Sequence, residues 1–210
     1  MNEAVRTNSF KGKDKTLLID EELIRFDDKE IERSKVSGIR YWISAIEFYK
    51  FPVGRKYHIG LRTENEQIDI ILKSYFGVGN AYFIDLCSRI LDEIWEPVIA
   101  QIMNPAVDLL IAGEEVQFGH CTLSKDGVLI TKNNTITKKQ LLISWADLNY
   151  QKNYDRLTLN SKSDHRLWKN LYFGESWNIE ILMALLDWIT IEDGLQEIQK
   201  KENNFNQHGT

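Results

Sequence analysis

The chain has 210 residues, of which 43% are hydrophobic and 27% charged, enough apolar material, six Trp included, for one large domain or two of about 100 residues. The net charge of −5, split as −2 over residues 1–104 and −3 over residues 105–210, excludes a chain-wide positive field of the kind that gathers nucleic acid. No apolar run nears the roughly 20 residues of a membrane-spanning helix, and the start, MNEAVRTNSFKGKDK, lacks a signal-peptide core. Cytoplasmic placement is therefore expected, with any membrane contact peripheral.

In chain order, residues 1–12 are polar and read as a disordered start. TLLIDEELIRF places an acidic turn between two apolar strands, and VSGIRYWISAIEFYKF reads as one β-branched and aromatic strand. KYHIGLRTENEQIDIILK is a hairpin. Tyr57, Ile59 and Leu61 alternate, Thr63–Glu66 turns, and Ile68, Ile70 and Leu72 alternate again. The period changes after Tyr75-Phe76-Gly77. Phe83, Leu86, Cys87, Ile90, Leu91 and Ile94 form a helical stripe, with Asn80 as its expected N-cap. Pro97 is expected to break or restart this helix. Asn104, Pro105 and Gly113 then frame a separate connector helix over 105–112.

The order repeats. EEVQFGHCTLS and GVLITK are strands around Lys125-Asp126-Gly127, QLLISWADLNYQ is another strand, and RLTLNSKSDHRLWKNL is a hairpin turning at Asn160–Asp164. After Tyr172-Phe173-Gly174, Ile179, Leu182, Met183 and Leu186 restore the helical stripe. Tyr75 matches Tyr172 at a shift of 97, and the two stripes match at a shift of 96, which points to an internal duplication. In both copies the Gly is expected to permit a sharp strand-to-helix turn, with Tyr-Phe packed beneath the helix. SAIEFY can be laid on SWADLNY, ending at Tyr49 and Tyr150, only if the second-half hairpin is the shorter. The tail from residue 196 is polar and reads as frayed or disordered.

The second half's GEEVQFGHCTLSKDGVLI, LLISWADLNY and WNIEILMALLDWI resemble the pleckstrin-homology-like (PH-like) superfold, in particular bacterial PH-like proteins. The likeness covers about 85 residues there and is looser in the first half. It implies a mainly β protein with α, made of two tandem seven-stranded, partly open antiparallel barrels, each closed by a C-terminal helix. The domains would be 1–103 and 104–195, followed by a polar tail at 196–210. Such domains usually bind phosphoinositides, peptides or proteins and rarely catalyse.

Chemistry-bearing motifs are sparse. Cys87 and Cys121 fall on apolar segments and suggest no disulfide framework. His120-Cys121 and Asp164-His165 lack the spacing of a metal site, and His120 and Cys121, adjacent on a strand, face opposite sides. Gly77-Val78-Gly79 lacks the third glycine of a dinucleotide fingerprint. Carboxylate pairs such as Asp27-Asp28 and Asp92-Glu93 fall in turns or on polar helix faces. The expectation is a non-catalytic binding or scaffolding module for a protein or peptide, without cofactor or metal and not a nucleic-acid binder, with self-association open. Trp95, Trp177 and Trp188 are the candidate partner-binding residues. The alternative is attachment to anionic lipid through Lys11, Lys13, Lys15, Arg33 and Lys35, with Arg55 and Lys56 in a further turn. A small enzyme with an unrecognised site is the third reading.

Overall fold

The computed structural model describes residues 1–10, 12–133 and 138–199, so Lys11 and the tail beyond 199 lie outside the described residues. The protein is mainly β, and the chain divides into two compact units, residues 1–102 and 103–210.

Unit 1 begins with a four-stranded antiparallel meander of β1 (Asn2–Val5), β2 (Lys15–Ile19), β3 (Leu23–Phe26) and β4 (Lys29–Glu32). A 3₁₀ turn at Arg33–Lys35 leads into a three-stranded meander of β5 (Gly38–Phe48), β6 (Phe51–Arg62) and β7 (Gln67–Tyr75). Helix α1 (Asn80–Ile111) follows. Unit 2 repeats four strands, β8 (Val116–Phe118), β9 (Cys121–Ser124), β10 (Gly127–Asn133) and β11 (Lys138–Ser144). It then repeats three, β12 (Leu148–Lys152), β13 (Arg156–Ser161) and β14 (Trp168–Tyr172), and ends in α2 (Ile179–Ile191). Among the described residues no ladder joins the two sheets of either unit into a closed barrel.

Alternation builds both cores. Leu17, Ile19, Ile24 and Ile31 from the first sheet and Tyr57, Ile59, Leu61, Ile68, Ile70 and Leu72 from the second are sealed from solvent in unit 1. Phe83, Leu86, Ile90 and Ile94 of α1 are fully buried, and Phe83 stacks near Tyr57. In unit 2, Ile179, Leu182 and Leu186 of α2 occupy the corresponding positions, joined by Ile181, Leu185 and Ile189. Cys87 and Met183, also related by the shift of 96, are both half-buried.

Several expectations are corrected. The first residues form β1 rather than a disordered start: Asn2–Val5 pairs with β2, Val5 is fully buried, and the Met1 ammonium donates to Ile19 O at 2.6 Å. Pro97 does not break the helix, and 105–112 is no separate connector, because α1 runs through both prolines. Pro97 has no N–H to give to Glu93 O four residues back. The Arg33 guanidinium supplies a donor instead, Nη2 reaching Glu93 O at 2.6 Å. Gly113 does end the helix, in a left-handed conformation with φ 82°. Asn80 is the first helical residue and does not cap; its Oδ1 accepts from Ser74 and Tyr57 hydroxyls.

QLLISWADLNYQ is two strands, because Trp145-Ala146-Asp147 turns the chain from one sheet to the other. Trp145 Nε1 fixes that corner by donating to Lys125 O at 3.0 Å and Ser124 O at 3.2 Å. EEVQFGHCTLS is also two strands, turning at Gly119-His120. The alignment of Tyr49 with Tyr150 fails, since Tyr49 occupies a hairpin turn and Tyr150 lies inside β12. Residues 194–199 are helical, with Ile198 buried, where a frayed tail was expected.

Candidate functional site

The predicted cations do not converge. Lys15 opens β2, whereas Arg33 and Lys35 follow β4 at the opposite end of the same sheet, where Leu23 pairs with Glu32. Three of the four described ones are engaged. Lys15 pairs with Asp27 at 2.7 Å and lies over the Phe26 ring. Lys35 pairs with Glu32 at 2.6 Å, and that bond raises its pKa. Arg33 clamps Asp20 O and Glu93 O. Lys13 is exposed.

The predicted tryptophans are half-buried rather than displayed. Trp95 meets Tyr41 edge-on, centroids 6.3 Å apart, joining α1 to β5. The Trp188 indole covers Gly194 so closely that a Cβ there would meet it at 2.6 Å. Trp177 lies in the turn before α2.

The exposed aromatics lie elsewhere, at one end of unit 1. The β5–β6 hairpin turns through Tyr49 and Lys50, both left-handed, as a two-residue hairpin turn requires. β6 pairs with β7 only from Gly54 onward, so residues 46–53 project as a two-stranded finger. Its tip exposes Phe48 (64%), Tyr49 (83%) and Phe51 (72%). The finger's root adjoins the β7–α1 turn, where Phe76 N donates to Val53 O at 2.8 Å. Phe76 is itself 74% exposed and left-handed at φ 52°. The β1–β2 loop joins them. Thr7 and Ser9 hydrogen-bond the backbone of Lys73, and Phe10 lies about 6 Å from the rings of Tyr75 and Phe76. Sequence reading hid this surface by absorbing it into a strand. The visible signal is the lapse of alternation in Phe48-Tyr49-Lys50-Phe51-Pro52, where four bulky residues precede a proline.

The sequence matches no protein-family model and no curated protein.

A second cluster occupies the outer face of the β5–β6–β7 sheet. Asp69 accepts from Gln67, from Arg40 at 3.4 Å and from His58 Nε2 at 2.6 Å, and His58 stacks on Trp42 at 3.9 Å. His58 is only 7% exposed, and burial holds its pKa below the ordinary value although Asp69 pulls it up. Burial would raise the Asp69 carboxyl, but its bonds to His58, Gln67 and Arg40 outweigh this and hold it low. The glycines opposite make room: a Cβ at Gly60 would stand 2.9 Å from Arg40 Nε. This arrangement locks three strands together through side chains.

An open groove of 790 Å³ runs between Glu3 of β1, Arg33 and the Arg89–Pro97 stretch of α1. Its cations are engaged, Arg89 by Glu3 and Asp85 and the two terminal nitrogens of Arg33 by backbone carbonyls, while Arg33 Nε has no hydrogen-bond partner among the described residues. Both thiols are pushed up to about 12 by burial, so neither is a thiolate near neutral pH. Cys121 is buried and His120 exposed, on opposite sides of the strand start. Among the described residues no group of three or more His, Cys, Asp or Glu is placed to hold a metal, and no helix is long and apolar enough to cross a membrane.

Proposed function

We propose that the chain is a tandem of two PH-like units acting as a non-catalytic binding module, which meets its partner through the aromatic end of unit 1. The PH-like reading is supported by the order in each unit: a four-stranded meander, a three-stranded meander turned from it, then one helix whose apolar stripe completes the core. The observation that carries the binding reading is the display of Phe10, Phe48, Tyr49, Phe51 and Phe76 at one end of unit 1. Large exposed apolar patches rimmed by polar residues mark interaction surfaces. Partner capture there needs no change in the protein, because the displayed rings are not used by the core.

The test is photo-crosslinking in cells of the full chain carrying benzoylphenylalanine at position 48 or position 76, with position 64 in the polar β6–β7 turn as control. Adducts at 48 and 76 but not at 64 are expected. Equal or absent labelling at all three positions would overturn the reading.

A further inference from the structure

We infer that the partner of the aromatic end is an anionic lipid bilayer, into whose interface the β5–β6 finger inserts. This rests on the binding-module reading above and adds the chemistry of the partner. Two independent observations carry it. The first is shape. The finger is convex, ending in two turn residues beyond the third strand, with Phe48, Tyr49 and Phe51 pointing into solvent. The grooves of unit 1 around Arg89, the 62–67 turn and Lys29 are lined by other residues. A protein partner must offer a preformed socket for such a projection, whereas a bilayer deforms around it. Phe and Tyr rings gain at the headgroup–acyl boundary, where an apolar body and a polar tip are both accommodated.

The second observation is charge. Among the described residues of segments 6–10, 12–15, 48–56 and 73–78, which build this end, seven are Lys or Arg and one, Asp14, is acidic, with Asp27 engaged by Lys15, in a chain whose net charge is −5. The nearest further acid in sequence is Glu47, just before the tip. Lys13, Lys50 and Arg55 are exposed, and among the described residues none of the three is ion-paired. Lys50 stands between Tyr49 and Phe51, so inserting the rings brings its ammonium to the phosphate level. Apolar anchors framed by cations suit anionic lipid, and each cation near such a surface strengthens binding about fivefold. The arrangement offers no enclosed headgroup pocket, so total negative charge rather than one headgroup is the selected feature.

The experiment uses the full chain with phosphatidylcholine–phosphatidylserine vesicles and with pure phosphatidylcholine vesicles. Co-sedimentation with the anionic vesicles only, falling steeply with added salt, is expected. Phe48→Ser with Phe51→Ser, and separately Lys50→Glu with Arg55→Glu, should each weaken partition at least about tenfold. All four side chains are exposed or project beyond the core, so thermal melting should not change. An environment-sensitive dye on Tyr49→Cys should brighten on anionic vesicles, and the native thiols, Cys121 buried and Cys87 half-buried with a raised pKa, should label far more slowly. Absence of binding by the folded chain at low salt, or binding indifferent to both double variants, would overturn the inference. Position-48 crosslinks to a protein without vesicle binding would overturn it too while leaving the binding-module reading intact. Tip-dependent self-association without vesicle binding would have the same consequence.

Discussion

The two units repeat one plan and differ most at the strand-to-helix junction that carries the same three letters. In unit 2, Phe173 is 5% exposed and Gly174 is not left-handed; the sharp turn falls later, at Asn178 with φ 63°. In unit 1 the chain turns at once, with Phe76, Gly77 and Gly79 all left-handed, and Phe76 is thrown outward. The expectation that Tyr-Phe packs beneath the helix therefore fails for Phe76, whereas Phe173 is buried. The hairpin beside the junction differs in parallel. Unit 2 turns through Tyr154-Asp155 on strands of 5 and 6 residues, whereas unit 1 extends the same hairpin to 11 and 12. The difference shows that a repeated motif can preserve a position in the fold while its side chain passes from core to surface. A Phe in left-handed backbone, which costs about 1–2 kcal/mol relative to the right-handed default, stands there with its ring mostly exposed.

The sharpest break of this comparison is a paired truncation. Phe173→Ala should destabilise by about 3–5 kcal/mol, the usual cost of deleting a buried aromatic. Phe76→Ala should stay within about 0.5 kcal/mol, as exposed substitutions do. Denaturant unfolding of the two variants reads the difference. Equal losses would mean that Phe76 is packed after all, and the displayed surface would lose its centre.

Much of this was legible because it is local. Ile68, Ile70 and Leu72 alternate without interruption, and Phe83, Leu86 and Ile90 keep helical spacing, so periodicity alone locates β7 and α1. What failed depends on distant partners. β1, Asn-Glu-Ala-Val, offers only Val5 to the core and is a strand because β2 accepts its ladder. The finger was invisible because aromatic residues raise strand propensity whether or not a core lies beneath them. The cations of the lipid alternative were chosen by density in sequence, and the fold had already paired most of them. Local reading also gave Pro97 its usual weight, with no means of seeing Arg33.

That clamp supplies the second contrast, for α2 contains no proline and needs no such support. Arg33→Ala leaves Glu93 O without its side-chain donor and should cost about 1.5–3 kcal/mol, the range for hydrogen bonds to charged groups. In a Pro97→Ala background the backbone N–H returns to Glu93 O, so part of that cost should disappear. A double-mutant cycle showing strict additivity would mean that Arg33 acts only through Asp20 O.

The subtlest contrast lies on the outer faces of the two three-stranded sheets. Unit 2 joins its strands with neutral groups: Asn149 donates to Asn160 at 3.1 Å and Thr158 to Asn170 at 2.9 Å. Unit 1 uses His58, Asp69 and Arg40, with Lys56 nearby, so its face carries an imidazole whose protonation is linked to folding. Burial keeps His58 neutral, which places its folded pKa below the unfolded value of 6.5. Below about pH 6.5 the unfolded chain therefore takes up a proton that the folded chain resists, and the linkage relation makes stability fall as pH falls. The contribution is complete above that value and is lost progressively toward the lower folded pKa. Asp69 has the same sign in a separate window, since its depressed carboxyl adds stability that is lost only below about pH 3.8. Unfolding followed across the mildly acidic range should show a slope that His58→Gln flattens. An Asp69→Asn substitution should push the His58 midpoint lower still, because the carboxylate that favours the imidazolium is gone. If the imidazole instead titrated above 6.5 by NMR, attraction to Asp69 would outweigh burial, and stability would rise rather than fall on mild acidification.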